Sequence, residues 1–128
     1  MFTTLQRLAW LALAGVAGTI ARYLLQALAV QILGKQFPWG TLIVNVVGCF
    51  LFGIVWTLEQ EHELISPETR VILLVGFMGA FTTFSTFAFE TAWLAREPGL
   101  VVAAANLLAH NLLGITAVLL GVGLVRQF

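Results

Sequence analysis

Charged residues are scarce in this chain: they make up 9% of its 128 residues, whereas an ordinary soluble domain has about 25%. Six Lys and Arg balance six Asp and Glu, so the net charge is zero. The chain therefore lacks the basic field that attracts nucleic acid or anionic lipid headgroups, and we expect no nucleic-acid partner. By contrast, 60% of the residues are hydrophobic, which indicates an integral membrane protein.

Cysteine and groupings typical of catalysis are also sparse. The single cysteine, Cys49, excludes a disulfide within the chain and a cysteine-based zinc cluster. Ser85 has no base beside it in the sequence, and His110 is the only histidine in an apolar segment. The chain also has no glycine-rich phosphate loop or metal-ligand spacing. We therefore expect no enzyme activity.

Four apolar segments, at residues 5–33, 38–58, 69–95 and 100–125, are each long enough to cross a bilayer, which takes about 20 helical residues. A signal peptide competes for the first segment because Arg7 precedes an apolar run, but that run continues past the cleavage-like residues at 12–14. Acids and His62 in the loop at 59–68 could ligate metal, although clustered loop charge is usually solvated. We predict an all-α membrane protein with one domain, residues 1–128, of four transmembrane helices.

The stretch at residues 76–90, GFMGAFTTFSTFAFE, places hydroxyl side chains between phenylalanine rings inside the third segment. A hydroxyl without a partner at membrane depth costs several kcal/mol, so this stretch should face protein or a wet cavity. Gly76 and Gly79 precede the hydroxyls, and threonine is a weak helix former. We predict that the third helix is broken at its centre and that the freed backbone lines an ion site.

Neutral hydrogen-bond donors recur in the apolar segments. They are Thr41 and Asn45 in the second segment, the hydroxyls around Ser85 in the third, and Asn106, His110 and Asn111 in the fourth. Amides, hydroxyls and the electropositive edges of phenylalanine rings together suit a small anion. They suit a cation less well, although carbonyls at a helix break could hold one.

The same residues also have purely structural interpretations. Asn45 and the pair Asn106 and His110 could hold helices together, and Arg22 could extend its charge to the membrane interface. Glu90 could be a gate or a hydrated helix end.

Positive charge is spread almost evenly over the two sides expected for four crossings. Arg7, Arg70 and Arg126 fall on one side, and Lys35 and Arg96 fall on the other. Three residues against two is hardly a bias under the positive-inside rule. A chain of this kind can insert both ways, and four helices alone seldom enclose a pathway. The pattern favours an antiparallel, dual-topology homodimer.

The stretch at 76–90, the run WGTLIVNVVG at 39–48 and Arg22 together resemble the Fluc or CrcB family of fluoride channels. The resemblance covers essentially the whole chain. It implies an antiparallel dimer with two pores in the inner (plasma) membrane, which passively exports fluoride from the cytoplasm and lowers fluoride toxicity.

The resemblance also implies roles for single residues. Phe84 and Phe87 would present ring edges to fluoride, Asn45 would supply an amide donor, and Ser85 and Thr86 would supply hydroxyls. The main-chain carbonyls of Gly79 and Thr82 would hold a structural sodium ion at the dimer axis. Arg22 and Glu90 match the family's arginine and acid, as possible pore-mouth or gating residues.

The fourth segment departs from the family pattern, because Asn106, His110 and Gly114 stand where the family has a tyrosine and serines. Asparagine and neutral histidine can still donate hydrogen bonds, so Asn106 and His110 remain pathway candidates. If His110 lines the pore, conductance should rise on acidification as the imidazole becomes charged.

Two other functions stay open at this point. A small dual-topology multidrug exporter would also have four helices, although the resemblance to that family calls for a glutamate in the first helix, where this chain has Arg22. A non-transporting membrane assembly subunit would use its buried polar groups only for helix contacts.

Overall fold

The computed structural model describes residues 3–128, and over that range the chain is built of helices without strands. Four helical regions are long and apolar enough to cross a membrane, as the sequence predicts. They are α1 (Thr4–Leu33), α2 (Trp39–Gln60), the third crossing (Pro67–Leu94) and α6 (Leu100–Val125). The third crossing consists of α3 (Pro67–Val71), a π-helical stretch (Ile72–Met78), α4 (Gly79–Phe81) and α5 (Phe84–Leu94).

Local signals in the sequence account for where the helices begin and end. Thr3 caps α1 by accepting a hydrogen bond from the Gln6 amide at 3.3 Å, while the Gln6 side chain accepts from the Thr3 amide at 2.9 Å. Ser66 caps α3 by accepting a hydrogen bond from the Thr69 amide, and Pro67 occupies the first turn. Gly34 ends α1 with φ of 84°, a conformation that favours glycine.

Glycines let α2 and α6 pack with their backbones in contact. A Cβ atom added at Gly53 of α2 would lie 2.4 Å from the carbonyl oxygen of Val118. One added at Gly121 of α6 would lie 2.2 Å from the carbonyl oxygen of Phe50. Real Cβ atoms do not approach oxygen so closely, and so each glycine is required by the helix opposite.

The first helix packs on the third crossing through a second pair of glycines. A Cβ atom at Gly18 would lie 2.3 Å from the carbonyl oxygen of Phe77, and one at Gly76 would lie 2.9 Å from the Ala14 Cβ. Gly76 is therefore explained by close packing, and it does not mark the helix break predicted beside it.

The hydrophobic core lies between α1, α2 and the third crossing, just before the centre of that crossing. It consists of Val44, Leu74, Met78 and Phe81, with Leu25 and other half-buried side chains around it. This cluster ends at Phe81, directly before the residues where the helix is interrupted.

Ion pairs hold the helix ends together at one end of the bundle. Arg70 binds Glu59 at 2.9 Å and stacks over the ring of Trp56. Arg126 binds Glu61, which ties the end of α6 to the end of α2. The hydrogen bond from Arg126 lowers the pKa of the Glu61 carboxyl. Two of the loop acids are thus used in ion pairs with arginine.

Candidate functional site

The third crossing is broken at Thr82 and Thr83, as the sequence predicts for its centre. Both residues have extended backbone, with φ and ψ of −84° and 160° at Thr82 and −150° and 106° at Thr83. The helix resumes at Phe84 because Thr83 caps it: its Oγ1 accepts from the Thr86 amide at 3.2 Å. Gly79, which the sequence analysis noted just before the hydroxyls as a sign of the break, is itself helical. The β-branched threonines mark the interruption, and the glycines before them do not.

Asn45 of α2 holds the broken backbone in place. Its Nδ2 donates to the carbonyl of Thr83 at 3.1 Å, and its Oδ1 accepts from the Thr83 amide at 2.8 Å. One side chain thereby satisfies both polar groups of a residue that has lost its helical partners, which would otherwise be costly at membrane depth. Since the Thr83 amide is committed to Asn45, the carbonyl of Gly79 loses its usual helical donor.

On one side of the break lies a cavity of about 380 Å³, called here the aromatic groove. Phe84 meets Phe87 edge to face, with ring centroids 5.5 Å apart and an angle of 62° between the rings. Phe87 also lies against the His110 ring, with centroids 4.2 Å apart. The groove is lined by Asn45, Gly48, Cys49, Phe52, Leu74, Met78, Gly79, Thr82, Phe84, Phe87, His110 and Asn111.

A second cavity, of about 450 Å³, adjoins the residues after the break and is called here the hydroxyl pocket. Every residue in its lining carries a polar group, and the lining includes the N-terminus of α5, whose partial positive charge favours an anion. Arg22 of α1 adds a full positive charge. The lining residues are Thr19, Arg22, Tyr23, Gln26, Thr83, Ser85 and Thr86.

A chain of hydrogen bonds, the polar ladder, links α1, α2 and α5. Thr41 donates to a carboxylate oxygen of Glu90 at 2.8 Å and accepts a longer bond from Gln26 at 3.5 Å. Beside it, the Asn106 amide of α6 donates to the Thr91 hydroxyl at 2.8 Å. These contacts bind α5 to α2 and α6, and Gln26 joins α1 to the same network through Thr41.

Three buried atoms of the ladder region have no hydrogen-bond partner within residues 3–128. They are Glu90 Oε2, Asn106 Oδ1 and His110 Nε2. Buried polar atoms are nearly always paired in proteins, so an ion, a proton or water is the natural complement to these three.

The structure distributes the predicted site residues over these three places. Those in the aromatic groove are Asn45, Gly79, Thr82, Phe84, Phe87 and His110, and those in the hydroxyl pocket are Arg22, Ser85 and Thr86. Thr41, Glu90 and Asn106 belong to the ladder and its contacts. The proximity of these residues is observed, whereas their roles in transport stay predictions.

The structure adds Gln26 and Thr91 to the polar network, and neither is among the residues predicted from the sequence. Gln26 lies one helical turn beyond Arg22 and lines the same pocket. Thr91 follows Glu90 directly, and its hydroxyl donates to the Phe87 carbonyl at 2.8 Å while it accepts from Asn106. The spacing from Arg22 could have identified Gln26, but no local signal identifies Thr91.

Comparison with known proteins gives consistent matches over nearly the whole chain. Residues 9–122 match the family described as CrcB-like protein, Camphor Resistance (CrcB). A protein of Nitrosococcus oceani named fluoride-specific ion channel FluC is 53% identical over 116 residues, which are 91% of this chain and 93% of that protein. A protein of Solidesulfovibrio magneticus with the same name is 50% identical over 122 residues, 95% of this chain and 98% of that protein.

Proposed function

Because the chain belongs to the CrcB family, we propose that it is a fluoride-specific ion channel through which fluoride leaves the cytoplasm passively. The relatives at 53% and 50% identity carry that name over almost their full length. Neither the multidrug exporter nor the assembly subunit has comparable support. The chain is a multi-pass membrane protein, and we place it in the inner (plasma) membrane, where a passive pore can release cytoplasmic fluoride.

The observation that carries the proposal is the break at Thr82 and Thr83, with donors on both sides of it. In the hydroxyl pocket, Arg22 and the hydroxyls of Ser85 and Thr86 attract an anion and can replace its water. In the aromatic groove, Phe84 and Phe87 offer ring edges, which are the electropositive part of the ring.

This arrangement suits conduction because, apart from the charge of Arg22, the donors are neutral. Neutral donors spread along a path let an anion bind and then leave. A negative-inside potential drives one anion outward with about 2.3 kcal/mol per 100 mV. Fluoride that enters as the neutral acid and dissociates inside would therefore be expelled without ATP or a coupled ion.

Two features support an antiparallel homodimer with two pores. Phe84 is 78% exposed in the single chain, and Gly79 and Ser85 are exposed beside the break. Irregular backbone at membrane depth is tolerated only where protein or a water-filled cavity covers it, and a second copy would cover this face. The nearly even spread of Lys and Arg over both sides lets that copy insert upside down.

The break also fits a structural sodium ion. Gly79 and Thr82 line one groove, and the carbonyls at the end of a helix lack intrahelical donors. A Cβ atom at Gly79 would find nothing nearer than the Leu74 carbonyl at 3.9 Å, so there is room beside that residue. When bound, sodium would supply a fixed positive charge; the oxygens of Gly79 and Thr82 would hold it, with their equivalents from a second copy.

Fluoride efflux from proteoliposomes, followed with a fluoride electrode, tests the proposed function. We expect rapid release from vesicles that contain the wild type, with no proton gradient. Phe84→Ile should slow release at least about tenfold, because it replaces the exposed ring edge in the groove with an aliphatic side chain that has no quadrupole.

Phe89→Ile is the matched control for this substitution. Phe89 is also exposed on α5, but it stacks on Trp93 and lies outside the aromatic groove. Its replacement should leave release nearly unchanged. No release from wild-type vesicles would reject the channel, and equal rates for the two variants would reject the assigned path.

A further inference from the structure

His110 is held in one orientation by its own helix. Its Nδ1 lies 3.0 Å from the main-chain carbonyl of Asn106, one turn earlier in α6. A carbonyl oxygen can only accept a hydrogen bond, so Nδ1 must carry a proton. In the neutral ring the other nitrogen, Nε2, therefore has no proton and presents a lone pair.

The surroundings of Nε2 do not suit a lone pair. Nε2 is buried and has no hydrogen-bond partner among residues 3–128. Two other buried atoms without a partner, Glu90 Oε2 and Asn106 Oδ1, are also acceptors when the glutamate is ionised. In the neutral state all three atoms are acceptors, so each of them lacks a donor.

The His110 ring is also part of the wall of the aromatic groove, in contact with Phe87. An anion that passes the Phe87 edge thus meets an imidazole next. A neutral ring with a bare Nε2 repels the anion, whereas a protonated ring offers an N–H donor and a positive charge.

We propose that His110 controls fluoride passage beyond Phe87 by taking up a proton at Nε2, which converts an acceptor into the donor that the site lacks. The inference rests on the proposed function. The proton comes from the solvent, it returns there when the ring is neutral again, and Nδ1 keeps its bond to Asn106 in both forms. Fluoride flux should therefore increase as pH falls.

Two other titratable groups belong to the helices packed on α6. Glu90 of α5 is bonded to Thr41, and Cys49 of α2 has its sulfur 3.4 Å from the Cβ position of Gly114, one turn beyond His110. A test has to separate His110 from both of them. The chain offers a control, because its only other histidine, His62, lies in the loop after α2.

The experiment measures fluoride efflux at equal free fluoride, with the same pH inside and outside, at about pH 7.5 and about pH 5.5, which lie on either side of the ordinary pKa of a histidine. Leakage through protein-free vesicles is subtracted. We expect the wild type, His62→Gln, Cys49→Ser and Glu90→Gln to release fluoride about threefold or more faster at the lower pH. His110→Gln should show a ratio near one, because a neutral amide does not titrate.

A flat wild-type profile, or a rise that survives in His110→Gln, would overturn the inference while leaving the channel intact. Loss of the rise in Glu90→Gln alone would assign it to the carboxyl and would overturn the inference as well. No flux at either pH would instead reject the proposed function.

Nitrogen NMR of histidine-labelled wild-type protein provides a second readout that does not depend on flux. At about pH 7.5 the His110 signals should show a protonated Nδ1 and a bare Nε2, and at about pH 5.5 both nitrogens should be protonated. A proton on Nε2 with a bare Nδ1 at the higher pH would contradict the proposal.

Discussion

At the scale of single residues, Asn45 stabilises the helix break, because both sides of its amide are bonded to the Thr83 main chain. Asn45→Ala leaves that buried N–H and C=O without partners, each of which costs about 1–3 kcal/mol. We expect the variant to be less stable by at least about 2 kcal/mol and to conduct poorly. Unfolding in detergent, followed by circular dichroism, measures the loss of stability.

Asn111→Ala is the control for that measurement. Asn111 lines the same groove, but its amide donates only to the Leu107 carbonyl of its own helix, at 2.7 Å, and the residue is exposed. The change should cost less than about 0.5 kcal/mol. Similar losses in the two variants would show that the amide of Asn45 does not hold the break.

The residues of the site stand out in the sequence more clearly than the contacts that they make. The hydroxyls and rings between Phe81 and Phe87 stood out because they are out of place in an apolar segment. The bonds from Asn45 to Thr83 could not be predicted, because 38 positions separate the two residues and nothing local signals the pairing. The hydrogen bond from Thr41 to Glu90 could not be predicted either, because 49 positions separate the two residues.

At the scale of helices, α2 and α6 depend on the absence of side chains where they cross. Gly121→Ala would place a methyl group 2.2 Å from the Phe50 carbonyl and force the two helices apart. Overpacking of this kind costs about 1–3 kcal/mol. We expect the apparent melting temperature in detergent to fall by several degrees.

Gly123→Ala separates this effect from helix propensity. Gly123 lies in the same helix, but a Cβ atom there would have no neighbour within 4 Å. Alanine at that position should be neutral or slightly stabilising. If both variants melt at the same temperature, the α2–α6 contact is not limited by Gly121.

The helices themselves were predictable to within two residues at each end, because length, hydropathy and caps such as Ser66 act locally. The π-helical stretch at Ile72–Met78 was not anticipated. Its amino-acid composition does not differ from that of an ordinary apolar α-helix, so no sequence signal marks it. It lies where Gly18 and Gly76 bring α1 against the third crossing, and tertiary packing can override local helix preference.

At the scale of the whole molecule, the antiparallel arrangement is the main proposal to test. In a Cys49→Ser background, Gln127→Cys and Glu97→Cys place single thiols at opposite ends of α6. A thiol reagent that cannot cross the membrane should label about half of each population in intact cells if insertion is mixed. Complete labelling of one position and none of the other would contradict dual topology.

Sodium binding is a second prediction at this scale. Any ligand that binds only the folded dimer raises its stability by RT ln(1 + [L]/Kd). We expect a higher melting temperature in sodium chloride than in potassium chloride at equal ionic strength, with intermediate values as the two are mixed. Equal melting temperatures in the two salts would contradict the proposed sodium site at the dimer axis.

The two hydrogen bonds between Asn45 and the Thr83 main chain lie entirely within one chain. If the proposed antiparallel dimer forms, an upright copy and an inverted copy would each complete the broken part of the third crossing on their own. Membrane insertion would then need no ordered pairing, and assembly would only have to bring together subunits that are already folded.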